Sequence, residues 1–182
     1  MQASLLRQRG ATEVVGIEFD PAFAAIARGD YDEVVTGSVE EPLPWPPASF
    51  DTILCYDVLE HLYDPWSVAS GLRPLLRKGG RLHASVPNVR HRNVILPLAF
   101  RGTFRYEPEG LLDVTHLRFF ARADAMRMLE GSGYEMRSVS YARPATAKGR
   151  FIDALTRGRL AGFNTTNWYL LATPRASSPA GP

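Results

Sequence analysis

Residues 50–62 read Phe50-Asp51-Thr52-Ile53-Leu54-Cys55-Tyr56-Asp57-Val58-Leu59-Glu60-His61-Leu62. The first seven, Phe50 to Tyr56, predict a strand, and Asp57 stands at its end. A helix-like stretch follows near Val58 to Leu62. Pro65 opens the next helix, expected to run to about Leu76 and to be ended by Lys78-Gly79-Gly80. Arg81 to Val86 is the next strand, stopped by Pro87. A strand, a helix and a second strand in this order are the repeating unit of a mostly parallel α/β sheet.

The rhythm extends upstream. Ser4 to Arg9 looks like the end of a helix closed by Gly10, and Glu13 to Phe19 is a short β-branched run that predicts a buried strand. Asp20-Pro21 then starts a helix, because Asp caps free amides and Pro at the first helical position loses no hydrogen bond. That helix, Ala22 to Ala27, ends near Gly29. Asp32 to Thr36 is a second strand, and Pro42 to Pro47 force an extended loop.

Downstream the rhythm changes. Asn88 to Asp113 carries Pro97, Gly102, Pro108 and Gly110 and looks irregular, an inserted active-site segment reaching to about residue 122. Arg122 to Gly131 is a helix, Tyr134 to Tyr141 alternates as a strand should, Phe151 to Leu160 is an amphipathic helix, and Trp168 to Thr173 is a last strand. These elements predict one α/β domain over residues 1–174 with a loose tail at 175–182.

Composition narrows the function classes. The 182 residues are 45% hydrophobic and 22% charged, which is ordinary globular composition. A net charge of +2 is too small for a nucleic-acid coat, so nucleic acid is not the expected partner. The charge is unevenly placed: Glu13 to Asp64 holds twelve acidic residues and one basic residue, Arg28. One cysteine excludes an intrachain disulfide framework and a multi-cysteine metal site, and no metal site is expected. No apolar run approaches the length of a membrane span, and the first residues lack the apolar stretch of a secretory signal. A cytoplasmic location is the default expectation.

Three runs in order, V-V-G-I-E-F-D-P (14–21), the 50–62 stretch, and L-L-R-K-G-G-R-L-H-A-S-V-P-N (75–88), resemble the class I S-adenosylmethionine-dependent methyltransferases. The resemblance covers about residues 5 to 140. A later run, G-L-L-D-V-T-H-L-R-F-F-A (110–121), is similar to a subgroup associated with surface-polysaccharide and methionine-biosynthesis gene neighbourhoods. The resemblance implies a Rossmann-like sandwich, S-adenosylmethionine as cofactor, and methyl transfer to a small-molecule or saccharide acceptor.

Site residues follow from both arguments. Ligands of open parallel sheets sit outside the carboxyl ends of the strands, where Glu18 lies, and a carboxylate there can take both hydroxyls of a ribose. The family places an acidic residue after its third strand to meet the adenine amine. This chain has Ser38 at that place, a neutral acceptor, with Val39 able to lie against the purine and Phe19 beside Glu18. By resemblance Asp57 lines the methionine end of the cofactor. His61, four residues on, shares a helical face with it. The rival reading is that His61 and Glu60 fasten this helix to the next loop.

On the acceptor side, Asn88, Arg118 and other arginines interleaved with aromatics suit an anionic acceptor, because guanidinium meets phosphate bidentately. His116 is the candidate base or substrate contact. The resemblance also implies a first strand and glycine-rich turn ahead of Glu13 that this sequence does not show. The expectation is therefore a fragment lacking that strand, with weak S-adenosylmethionine affinity. The competing reading is a non-catalytic or partner-dependent domain without a complete cofactor site.

Overall fold

The computed structural model describes residues 2–142, 151, 154–156 and 160–176. The chain divides into two compact units, Met1–Pro44 and Trp45–Pro182.

In the first unit, helix α1 (Gln2–Gln8) leads to strand β1 (Val15–Glu18), helix α2 (Pro21–Ala27) and strand β2 (Glu33–Thr36). The two strands pair in parallel, Val15 opposite Glu33 and Glu18 opposite Thr36. As Asp20-Pro21 predicts, the Asp20 side chain caps α2 by accepting from the Ala22 amide at 2.7 Å. Asp32 fixes the entry into the sheet: its Oδ2 accepts from the Val14 amide (2.7 Å) and the Arg7 guanidinium (2.8 Å). Both contacts hold its carboxyl below the usual range, the amide contributing most.

The second unit carries a four-stranded sheet in the order β3 (Phe50–Tyr56), β4 (Leu76–Pro87), β6 (Asn167–Pro174), β5 (Tyr134–Tyr141). β3 and β4 are parallel, and β6 is antiparallel to both β4 and β5. Three strands therefore run one way and β6 runs against them, which gives the mostly parallel α/β sheet that the sequence predicts. Helices α3 (Pro65–Leu72) and α5 (Arg122–Gly131) pack against each other. Ser132 joins them by donating to the carbonyls of Met128 and Trp66. The core gathers Ala69, Leu72, Leu82, Val86, Leu129 and Tyr134. Tyr134 is fully buried and donates its hydroxyl to the Ala69 carbonyl at 3.0 Å, which answers its polar tip.

Three expectations need correction. The helix from Pro65 ends at Leu72 and passes into a 3₁₀ turn, Arg73–Leu75, because Pro74 has no amide to continue the ladder. Lys78-Gly79-Gly80 does not end a helix but lies inside β4, where pairing jumps from Phe50–Leu76 to Thr52–Arg81. The surplus residues make a bulge, with Gly79 at φ 82°. A side chain on Gly80 would lie 2.8 Å from the Arg77 carbonyl. The stretch 88–113 is not wholly irregular: it holds helix α4 (Arg92–Arg101), capped by His91 at its start and by left-handed Gly102 at its end, with Pro97 inside. A short helix α6 (Ala161–Asn164) precedes β6. The helix expected over 151–160 falls partly, and the loose tail at 175–182 largely, outside the described residues.

Candidate functional site

In the first unit, the carboxyl end of the β1–β2 pair brings Glu18 and Ser38 to one edge. The Gly37 amide donates to the Glu18 carbonyl at 3.0 Å, so Ser38 and Val39 leave β2 directly beside Glu18. The Glu18 Oε1 accepts from the Asp20 amide at 2.9 Å, which orients the carboxylate. Ser38 Oγ accepts from the Glu40 amide at 3.1 Å, leaving its hydroxyl hydrogen able to donate. Phe19 is 78% exposed. A fixed carboxylate, a hydroxyl and two apolar side chains on one edge fit a ribose and a purine.

In the second unit, the carboxyl ends of β3 and β4 hold Asp57. Tyr56 pairs with Ser85, and the Ser85 hydroxyl accepts from the Asp57 amide (3.0 Å) while donating to Asp57 Oδ1 (2.8 Å). Asn167 donates to the same Oδ1 at 2.8 Å. These bonds hold Asp57 at φ 52°, a left-handed conformation costly for a residue with a Cβ. The shared helical face of Asp57 and His61 is thereby overturned, because Asp57 lies outside the 3₁₀ turn, Leu59–His61, that carries His61.

That turn is fastened to the segment ahead of α5. The amides of Leu117 (2.8 Å) and Arg118 (3.0 Å) both donate to the Glu60 carbonyl. His61 Nδ1 lies 3.3 Å from the Thr115 carbonyl and 3.1 Å from its hydroxyl. That hydroxyl donates to Asp113 at 2.6 Å. The Glu60 backbone carbonyl and the His61 ring thus tie this turn to the 115–118 segment. The His61 and His116 rings meet edge to face, 4.8 Å between centroids.

His116 is buried, 7% exposed, with Nδ1 3.4 Å from the Leu111 carbonyl. Burial, then the neighbouring His61, push its imidazolium below the usual range, so at neutral pH the ring is uncharged. A carbonyl can only accept, so Nδ1 carries the hydrogen and Nε2 the lone pair. Arg118 donates to the Tyr63 carbonyl and lies 6.0 Å over the Trp66 ring. A groove of about 360 Å³ opens beside it, lined by Trp66, Arg118, Phe119, Phe120 and Met128 among others. Asn88 is fully buried: its amide hydrogens go to the carbonyls of Gly162 and Thr165, and its oxygen accepts from the Arg90 amide. It ties the 88–91 turn to the start of β6.

Sequence reasoning missed the chemistry of the Glu60 side chain. It is 1% exposed, and neither carboxylate oxygen has a hydrogen-bond partner among the described residues. Desolvation pushes its carboxyl up to about 8. The one available signal was its position between the apolar Leu59 and Leu62. Ser85 and Asn167 were also missed, because their meeting with Asp57 depends on strand register.

Residues 1–84 match a family model described as a methyltransferase domain. A probable S-adenosylmethionine-dependent methyltransferase of Mycolicibacterium smegmatis is 32% identical over 128 residues, 69% of this chain and 45% of that protein. A ubiquinone biosynthesis O-methyltransferase of Aeromonas salmonicida is 30% identical over 116 residues, 63% of this chain and 48% of that one. The chain thus spans about half the length of these curated relatives. Among solved structures, S-adenosylmethionine-dependent methyltransferases of Archaeoglobus fulgidus (TM-score 0.67, 14% identity, 93% of this chain and 79% of that one) and Mesorhizobium loti (0.65, 16%, 94% and 84%) share the fold. No helix among the described residues is long and apolar enough to cross a membrane. Family and fold together imply S-adenosylmethionine as cofactor. The matched domain, these relatives and the shared fold together support a class I S-adenosylmethionine-dependent methyltransferase.

Proposed function

We propose that this chain works in methyl transfer from S-adenosylmethionine to an oxygen of a small-molecule or saccharide acceptor. The observation that carries the reading is the carboxyl edge of β1–β2, where Glu18 is oriented by the Asp20 amide and stands beside Ser38 and Val39. When bound, the cofactor supplies an electrophilic methyl group on a sulfonium. Glu18 takes the ribose hydroxyls, Ser38 and Val39 receive the adenine, and Phe19 shields that end from water.

On the acceptor side, His116 Nε2 takes the proton that an acceptor hydroxyl loses. Arg118 and the Trp66 ring favour an acceptor with a flat or sugar face and an anionic group. The names of the ubiquinone-biosynthesis relatives support oxygen as the atom methylated. Asn88 serves this side by fixing the backbone turn rather than by touching the acceptor.

The test is transfer of a tritiated methyl group from S-adenosylmethionine to a panel of catechols and sugar phosphates. His116→Ala should lower transfer about 10²–10⁴-fold while sparing cofactor binding, and Glu18→Ala should weaken cofactor binding itself. Equal losses in both readouts for His116→Ala would remove the base assignment.

A partner-dependent domain is a second reading, favoured by the exposed Phe19, Phe23 and Ile26 in or beside α2, each more than 60% exposed. One fold neighbour, a Haloferax volcanii methyltransferase, was solved with its Trm112 activator (TM-score 0.65, 13% identity).

A further inference from the structure

Glu60, His61 and His116 each offer one ligand atom, and these atoms lie within 4.8 Å of one another. We propose that they form a binding site for a divalent first-row transition metal of the zinc class.

Four features of the cluster carry the proposal. The Glu60 side chain is only 1% exposed, and both its oxygens lack a hydrogen-bond partner among the described residues. Buried carboxylates in folded proteins are normally paired or ligate a metal. Both imidazoles are also set in the manner of metal ligands. His116 directs Nδ1 at the Leu111 carbonyl, and His61 directs Nδ1 at the Thr115 carbonyl and hydroxyl. The Thr115 hydroxyl hydrogen is committed to Asp113, so its oxygen accepts from His61. In both rings Nδ1 is thereby the donor and Nε2 keeps its lone pair, the tautomer that backbone and carboxylate partners impose on metal-binding histidines.

The scaffold holds these side chains together without a ligand. The Leu117 and Arg118 amides clamp onto the Glu60 carbonyl, which brings the segment holding His116 over the turn holding Glu60 and His61. Two imidazoles and one carboxylate are the protein ligands of an open tetrahedral zinc site. Such a site places its donors about 3.4 Å apart, given bonds of roughly 2.0–2.2 Å, so atoms now up to 4.8 Å apart must close by up to about 1.4 Å on binding. Magnesium and calcium prefer all-oxygen shells and are disfavoured by two nitrogens. Metal ligation would occupy His116 Nε2, so the proton-accepting role belongs to the metal-free chain and bound zinc is expected to suppress methyl transfer. The test below reads binding alone, so its failure leaves the methyl-transfer reading standing.

The experiment is calorimetric titration of the metal-stripped chain with zinc chloride and, separately, magnesium chloride, followed by the visible spectrum of the cobalt(II) form. The expected result is one zinc per chain at micromolar affinity or better, no comparable magnesium binding, and the intense visible bands of four- or five-coordinate cobalt. Glu60→Gln and His61→Ala should each weaken zinc by at least about tenfold, with circular dichroism confirming that they fold. His83→Ala, on β4, should bind as the parent does. Zinc binding that His61→Ala and Glu60→Gln leave intact would overturn the site, as would no stoichiometric zinc binding by the parent or a preference for magnesium.

Discussion

Replacing Glu60 by glutamine isolates the cost of a buried carboxyl. Its ordinary value is 4.5, and burial raises it to about 8. The folded state therefore favours the neutral acid. The stability this gives is fully present below about pH 4.5 and is lost as pH rises through 8. A difference of that size corresponds to at most about 5 kcal/mol, and relaxation around the side chain brings the expected loss to roughly 2–4 kcal/mol. A glutamine has nothing to ionise, so Glu60→Gln lacks this dependence. The assay is urea unfolding of both proteins in EDTA at pH 5, 6, 7 and 8.5. The difference between them cancels groups that titrate equally in both. The Glu60→Gln variant should gain steadily on the parent as pH rises, most steeply above pH 5. A gap constant from pH 5 to 8.5 would refute the claim that Glu60 is desolvated and unpaired.

Two further outcomes follow from the packing and the capping. Leu129 is fully buried on α5, so Leu129→Ala should cost about 2–5 kcal/mol, measured as a fall in the urea midpoint at unchanged slope. Asp20 caps α2 through the Ala22 amide, so Asp20→Ala should cost about 1 kcal/mol and speed hydrogen exchange in α2, with α5 unaffected.

Much of the fold was legible because its signals are local. The bounds read from the sequence for β3, α5 and β5 coincide with those observed. Each is a run whose pattern is broken by a turn, and Asp20-Pro21 announced α2 by capping chemistry alone. Proline and glycine misled where tertiary context overrode them. Pro97 made a helix look like loop, yet α4 accommodates it. Gly79-Gly80 looked like a helix stop, yet the pair absorbs surplus residues as a strand bulge.

Of the candidate site, Glu18 and Ser38 were readable because strand ends in a parallel pair fall on one edge. The joining of Glu60, His61 and His116 was not. It depends on 3₁₀ geometry and on two amides reaching the Glu60 carbonyl from more than fifty residues away. Nor does sequence show that a carboxylate is left buried without a partner.

The measurement closest to the central claim is a titration of the ¹⁵N-labelled chain with S-adenosylhomocysteine, followed amide by amide, in the parent and in Glu18→Ala. The account predicts shifts concentrated at Glu18, Phe19, Gly37, Ser38 and Val39, whatever the overall affinity, and their loss when Glu18 is replaced. Shifts that avoid the β1–β2 edge, or that persist unchanged in Glu18→Ala, would contradict it.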